Sequence, residues 1–192
     1  ATGVETPAGL LRVLTYLEGM PLHQAPASAG LRRAMGVMAA QLAVGLQGFT
    51  HAGADHVLQW DIKQARALRP LLADVPEALR GLCLEVLDRF DAEVFPQLAG
   101  IRWQVVHNDL NPHNVLVDEA DPTSVAGVLD FGDMVWTPLV CDLAVAASYQ
   151  VDPEAPLQSL CEFVAGYCAV LPLTREEAAL VLDLTATRML TT

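Results

Sequence analysis

Three polar residues sit where two apolar runs stop. The stretch VVHNDLNPHNVLVD carries Asp109 just beyond Val105 and Val106, and Asn114 follows five positions later. A second run, VAGVLDFG, delivers Asp130 at its end. Short Val- and Leu-rich runs broken by turn residues read as strands. Strand ends on one side of a sheet project into a shared cleft, so two carboxylates and an amide can meet there. Oxygen donors of this kind suit a hard cation, and Mg2+ takes one or two carboxylates together with substrate phosphates. A carboxylate kept off the metal can accept a proton from an attacking hydroxyl. The set divides into Asp109 as base and Asn114 with Asp130 as metal ligands. No protein nucleophile accompanies them: the chain has no G-x-S-x-G elbow, no H-E-x-x-H and no Cys beside a His.

These residues need elements to hold them. Residues 1–9, with Pro7 and Gly9, read as a loose tail. Leu11, Val13, Thr15 and Leu17 alternate with other residues and predict one short strand ending at the turn signal Glu18-Gly19. Ser28 is placed to cap a long amphipathic helix over 29–48, with Leu31, Met35, Met38, Leu42 and Leu46 at helical spacing. A loop, FTHAGADH, precedes a short helix over 58–72 that Pro70 should break. Pro76 suits the first position of another helix carrying Leu79, Leu82, Val86, Leu87 and Phe90. After Pro138 the chain turns helical again, and Thr174 with Glu177 forms a capping box for the final helix. The expected fold class is α+β, mainly helical, with a small central strand cluster. Trp60 and Trp103 are expected in the core, and His51 and His56 in a solvated loop. His113 is either a loop residue or a neighbour of the reacting group.

Composition narrows the class. The chain has 192 residues, 53% of them apolar, which is ample for a core. Its formal charge of −12 lacks the basic footprint of a nucleic-acid binder and is repelled by anionic membranes. A phosphate-bearing ligand would need local cations or a metal. Cys83, Cys141, Cys161 and Cys168 show no metal-ligand spacing and read as buried free thiols in a reducing cytosol. No apolar run is long enough to span a bilayer, and no signal pattern opens the chain. A cytoplasmic protein is expected, without nucleic-acid or membrane partners.

His107-x-Asp109-x-x-x-x-Asn114 followed by Asp130-Phe131-Gly132 resembles the catalytic-loop and metal-binding signatures of the protein-kinase-like phosphotransferases. With no Arg or Lys next to Asp109, HNDLNPHN is most similar to the aminoglycoside phosphotransferase and choline kinase branch. DMVWTPLVCDLA resembles that branch's segment after the metal-binding Asp, where Asp142 would sit. WDIKQARAL, AVAASYQ and VAGYCAVLPLTREEAALVLDLTATRML resemble hydroxylysine kinase and the phosphotransferase domains fused to class III aminotransferases. The resemblance implies an ATP- and Mg2+-dependent small-molecule kinase acting on a hydroxyl of an amine-bearing metabolite. It implies that Asp109 is the catalytic base and that Asn114 and Asp130 ligate Mg2+. It places the backbone of Thr15, Tyr16 and Leu17 in an interlobe hinge that meets the adenine. It makes His107 and Asp142 structural supports of the catalytic loop. Asn108, Asn111 and His113 depart from residues common in the branch.

The same resemblance implies parts this sequence lacks. The chain's single lysine, Lys63, lies well after the hinge, and no Gly-rich phosphate loop occurs. The expectation is a C-terminal lobe alone, with 10–20 as hinge strand, 21–104 helical, 105–133 carrying the catalytic and metal loops and 134–192 helical. An N-terminal lobe, and a fused aminotransferase as in the resembling domains, would belong to the parent protein, and the isolated chain would be inactive. The alternative is a non-catalytic kinase-like module that binds nucleotide or a partner. Asp109 speaks against it, because binding alone needs no base. A two-metal phosphatase would want a denser set of ligands.

Overall fold

The computed structural model describes residues 2–191. Ala1 and Thr192, the outer ends of the expected tail and lobe, lie outside the described residues. The chain folds as α+β, mainly helical. Strands β1 (Thr2–Thr6) and β2 (Gly9–Val13) form an antiparallel hairpin, β3 (Met20–Pro21) is a two-residue strand, and α1 (Ala29–Gly45) and α2 (Glu77–Arg89) follow. Strands β4 (Trp103–Val106), β5 (Val115–Val117), β6 (Val125–Val128) and β7 (Val135–Pro138) make the central cluster. Helices α3 (Leu139–Ser148), α4 (Pro156–Cys168) and α5 (Arg175–Leu190) complete the fold.

The expected loose tail is therefore a strand. A two-residue turn at Pro7-Ala8 joins it to β2, Gly9 takes φ +124° there, and Thr6 Oγ1 donates to the Gly9 carbonyl at 2.7 Å. The expected hinge strand is shorter than its alternation suggests. Its ladder ends at the pair Thr2–Val13, and Leu14–Glu18 are irregular. Pro70 does not break its helix: 62–74 is wound as 3-10 turns that continue through it. Pro76 is the cap one position before α2. Trp60 is 37% exposed and Trp103 half-buried, its indole N–H donating to the Leu98 carbonyl, so neither is a core centre. Among the thiols only Cys141 is buried, and Cys161 is exposed.

The caps read from the sequence form. Ser28 Oγ accepts the Leu31 N–H at 3.1 Å. Thr174 and Glu177 accept each other's backbone N–H groups. Helix α1 crosses α4 at backbone contact. A Cβ on Gly36 would lie 2.0 Å from the Phe163 carbonyl oxygen, and one on Gly166 would lie 2.1 Å from that of Arg33. Leu31, Met35, Leu160, Phe163 and Tyr167 fill the space around this crossing, and Arg32 Nε pairs with Glu162 at 2.6 Å beside it.

Helix α3 is the centre of the molecule. Every residue from Leu139 to Ala147 is buried, Asp142 included. Strands β4 and β7 pair antiparallel from Trp103–Pro138 to Val106–Val135, and β3, β5 and β6 form a second sheet. In that sheet Val115 faces Val128 and Leu116 faces Gly127. These short ladders fix where the residues following β4, preceding β5 and following β6 emerge.

Candidate active site

His107 to Asn114 is the loop between β4 and β5. Its first turn is anchored from below. The buried His107 ring bonds the Leu129 carbonyl through Nε2 at 2.9 Å and accepts the Asp109 N–H at Nδ1. Phe131 packs edge-on against the same ring, with centroids 4.9 Å apart. Asp142, reaching up from α3, accepts the Asn108 N–H at 2.7 Å. Burial pushes the Asp142 carboxyl up to about 6, against the opposing pull of that backbone bond and of His107.

Asn108 and Asp130 are the two non-glycine residues with positive φ among the described residues, at 64° and 57°. Each directly precedes or occupies a position assigned to chemistry. Left-handed backbone is least costly for Asn and Asp after Gly, which suits Asn108 to its positive φ. Its side-chain Oδ1 and Nδ2 are buried without a protein partner.

Two amides hold the Asp109 carboxylate. Asn111 Nδ2 and Asn114 Nδ2 donate to Oδ2 at 2.8 and 2.9 Å, and Asn114 Nδ2 also reaches the Asp109 carbonyl at 2.9 Å. Asn111 Oδ1 in turn accepts the His113 N–H at 2.8 Å, closing the loop on itself. Oδ1 of Asp109 lies 3.6 Å from an Arg188 guanidinium nitrogen on α5.

Asn114 and Asp130 come together through the β5–β6 ladder. The Leu129 N–H donates to the Asn114 carbonyl at 2.8 Å, which puts Asp130 one residue beyond Asn114's partner. Asp130 is exposed and caps the Phe131–Asp133 turn, with Oδ1 accepting the Gly132 N–H at 3.1 Å. Both residues fit a hard cation. The Asn114 nitrogen is committed to Asp109, leaving the amide oxygen as its ligating atom, and Asp130 Oδ2 has no protein donor among the described residues. Two protein oxygens, one charged, match the few-ligand habit of Mg2+ beside phosphates. Among the described residues, no three His, Cys, Asp or Glu side chains gather as a metal cage. A cavity of about 360 Å3, lined by Phe49, His51, His56, Phe131, Gly132 and Met134, opens beside the Asp130 turn.

Thr15, Tyr16 and Leu17 stand apart from this network. They take part in no backbone hydrogen bond among the described residues. Tyr16 is 86% exposed. It borders a cavity of about 390 Å3 with Glu18, Gly19, Asp118, Glu119 and Ala126. Leu17 lies over the bare Cα of Gly127 on β6. Lys63 is occupied elsewhere, with Nζ 2.7 Å from the buried Asp61 carboxylate and donating to the Trp136 carbonyl.

Two further residues, Arg188 and Tyr149, carry no motif, and Asn111 stands out in the sequence only as a departure within the loop. Asn111 clamps the Asp109 carboxylate, Arg188 faces its other oxygen, and the Tyr149 hydroxyl bonds Arg188. Arg188 had a signal: it follows Leu180, Val181 and Leu184 at helical spacing, on the buried face of α5.

Comparison with known proteins bears on the family and the fold. The model of the phosphotransferase enzyme family matches residues 4–180. A hydroxylysine kinase of Mus musculus is 32% identical over 180 residues, covering 88% of this chain and 48% of the relative. The chain spans about half the length of the curated relatives it matches. An aminoglycoside phosphotransferase of Streptomyces rimosus, solved with ADP and streptomycin, shares the fold at a TM-score of 0.54 and 24% identity, covering 89% of this chain and 67% of that one. A microcompartment-associated aminopropanol kinase shares it at 0.56 and 18% identity, covering 99% of this chain and 62% of the other. The fold is thus that of the kinase-like phosphotransferases. Among the described residues no helix is long and apolar enough to cross a membrane.

Proposed function

The chain belongs to the phosphotransferase enzyme family, and we propose that the protein is a cytoplasmic small-molecule kinase moving the γ-phosphoryl group of ATP to a hydroxyl of an amine-bearing metabolite. The observation that carries this reading is the Asp109 carboxylate held by Asn111 and Asn114, with Asn114 linked through one backbone bond to the segment bearing Asp130. A module that only binds nucleotide has no use for a carboxylate oriented in this way. Relatives named hydroxylysine kinase and the shared fold of an aminopropanol kinase support an amine-bearing acceptor.

In the proposed reaction the acceptor hydroxyl donates to Asp109. Its oxygen bonds to the γ-phosphorus while the bond from that phosphorus to the β–γ bridging oxygen breaks. The hydroxyl proton passes to Asp109 and ADP leaves. Most of the rate comes from positioning and from neutralising charge. Asn114 and Asp130 would hold Mg2+, which when bound offsets the negative charge of the phosphates. The bare backbone groups of Thr15, Tyr16 and Leu17 would meet the adenine. His107 and Asp142 keep the loop's first turn in its left-handed form. Lys63 is tied to Asp61 and Trp136, so the lysine on the phosphates would come from residues outside this chain. The chain by itself would then turn over slowly, if at all.

The test is Mg2+- and ATP-dependent phosphorylation by the full-length protein across hydroxylysine, choline and aminoglycosides, beside the 192-residue chain and an Asp109→Asn control. Turnover of one acceptor that collapses in the control establishes the kinase and names its substrate. Normal Mg-nucleotide binding without turnover of any acceptor favours a binding module. Full activity in the isolated chain would sink the role given to an outside lysine.

A further inference from the structure

Arg188 lies beyond residue 180, where the family match ends, yet it faces the proposed base. Its side chain is 4% exposed. One guanidinium nitrogen donates to the Trp60 carbonyl at 2.7 Å and reaches Thr191 Oγ1 at 3.4 Å. The other donates to the Tyr149 hydroxyl at 3.2 Å and lies 3.6 Å from Asp109 Oδ1. The Tyr149 ring sits 5.9 Å from the guanidinium carbon. Burying a cation is costly unless an anion lies near, and among the described residues Asp109 brings a carboxylate beside Arg188.

The two oxygens of that carboxylate are treated differently. Oδ2 accepts two amide N–H groups. Oδ1 meets a cation at a distance too long for a hydrogen bond. Its charge is offset while its lone pairs stay available. Rotating the carboxylate would both strip Oδ2 of its donors and move the charge away from Arg188.

We propose that Arg188 is a positioning residue for phosphoryl transfer: held by α5, Tyr149 and the Trp60 carbonyl, it locks the Asp109 carboxylate so that Oδ1 is the atom taking the acceptor's proton. The proposal rests on the assignment of Asp109 as base. In the transfer step, the acceptor's O–H bond breaks toward Oδ1 as its oxygen bonds to the γ-phosphorus and ADP departs. Arg188 touches none of the reacting atoms; it acts through Asp109 alone.

The experiment uses the full-length protein and compares Arg188→Ala, Arg188→Lys, Asp109→Asn and the Arg188→Ala/Asp109→Asn double variant. Thermal melts and MgATP titrations accompany the kinetics. Arg188→Ala is expected to lower kcat ~100-fold, at the low end of what a misplaced base costs, with KM for MgATP within ~3-fold. Guanidinium ion added to the buffer should restore part of that loss. The double variant should be no slower than Asp109→Asn alone, because groups acting as one unit are not additive. If Arg188→Ala fails to fold, Arg188→Lys keeps the charge without the planar fork, and a ~10-fold drop in kcat at unchanged MgATP affinity is expected. Near-normal kcat in either folded variant, or a double variant slower by the product of the single losses, overturns the proposal. Unchanged turnover in Asp109→Asn would overturn the base assignment itself, and the role of Arg188 with it.

Discussion

The loop carrying Asp109 and the turn carrying Asp130 share a left-handed backbone residue and a carboxylate, but they are held in opposite ways. Around Asp109, Asn111 and Asn114 hold one oxygen, Arg188 faces the other, and His107 and Asp142 fix the backbone below. Around Asp130, one N–H from Gly132 meets one oxygen and the side chain is exposed. A base must be oriented before its substrate arrives, since reorientation during the reaction adds to the barrier. A metal carboxylate gains its second set of bonds from the ion. On the proposed roles, the contrast separates what the chain builds for itself from what a ligand would complete.

Breaking the two carboxylates in turn should give different losses. Asp109→Asn is expected to reduce kcat by ~10²–10⁴-fold and leave Mg-nucleotide affinity unchanged. Asp130→Asn should weaken Mg2+-dependent nucleotide binding ~10–100-fold, as altered metal sites do, with little change in melting temperature. Calorimetric titration of Mg-nucleotide into both variants decides the matter. Equal binding losses would erase the distinction.

Asp142 tests the foundation of the loop. Its folded value near 6 lies above the ordinary 3.8. A raised carboxyl favours folding below the unfolded value, and that contribution is lost as pH rises through the folded one. Wild type should therefore lose stability relative to Asp142→Asn between about pH 4 and pH 6. Denaturant melts of both proteins across that range show it, and parallel curves would refute it. Asp142→Ala, which strands the Asn108 N–H, should cost ~1–3 kcal/mol at neutral pH.

The smallest effect is expected at Asn108. Asn108→Gly relieves a positive φ and removes an amide without protein partners, so the protein should gain up to ~1 kcal/mol. Asn108→Val cannot adopt the left-handed form cheaply and should lose ~1–3 kcal/mol. Thermal melts rank the three, and a Gly variant less stable than wild type would mean that the buried amide earns its place through packing.

Much of this site was legible because its residues are local. Asp109, Asn114 and Asp130 lie within one stretch of chain, and two short ladders translate their spacing into proximity. The helix caps at Ser28 and Thr174 were readable for the same reason, being bonds between near neighbours. What escaped was nonlocal or hidden in weak periodicity. The strand Thr2–Thr6 has no apolar alternation and exists through pairing with β2. The 3-10 winding of 62–74 departs from the expected break at Pro70, because tertiary packing of Ile62, Ala65, Leu68 and Leu72 decides the path there. The contact between Arg188 and Asp109 joins two segments that no motif connects, although the apolar spacing around Arg188 marks it as inward-facing.

The reach from α5 to the catalytic loop also sets a clock. Arg188 leaves the ribosome roughly 80 positions after Asp109, about 4–16 s later at 5–20 residues per second. During that interval the nascent loop can already have its amide clamp, while Asp109 lacks the cation that faces its second oxygen. On this account, the proposed base acquires its final setting only once α5 has emerged and docked.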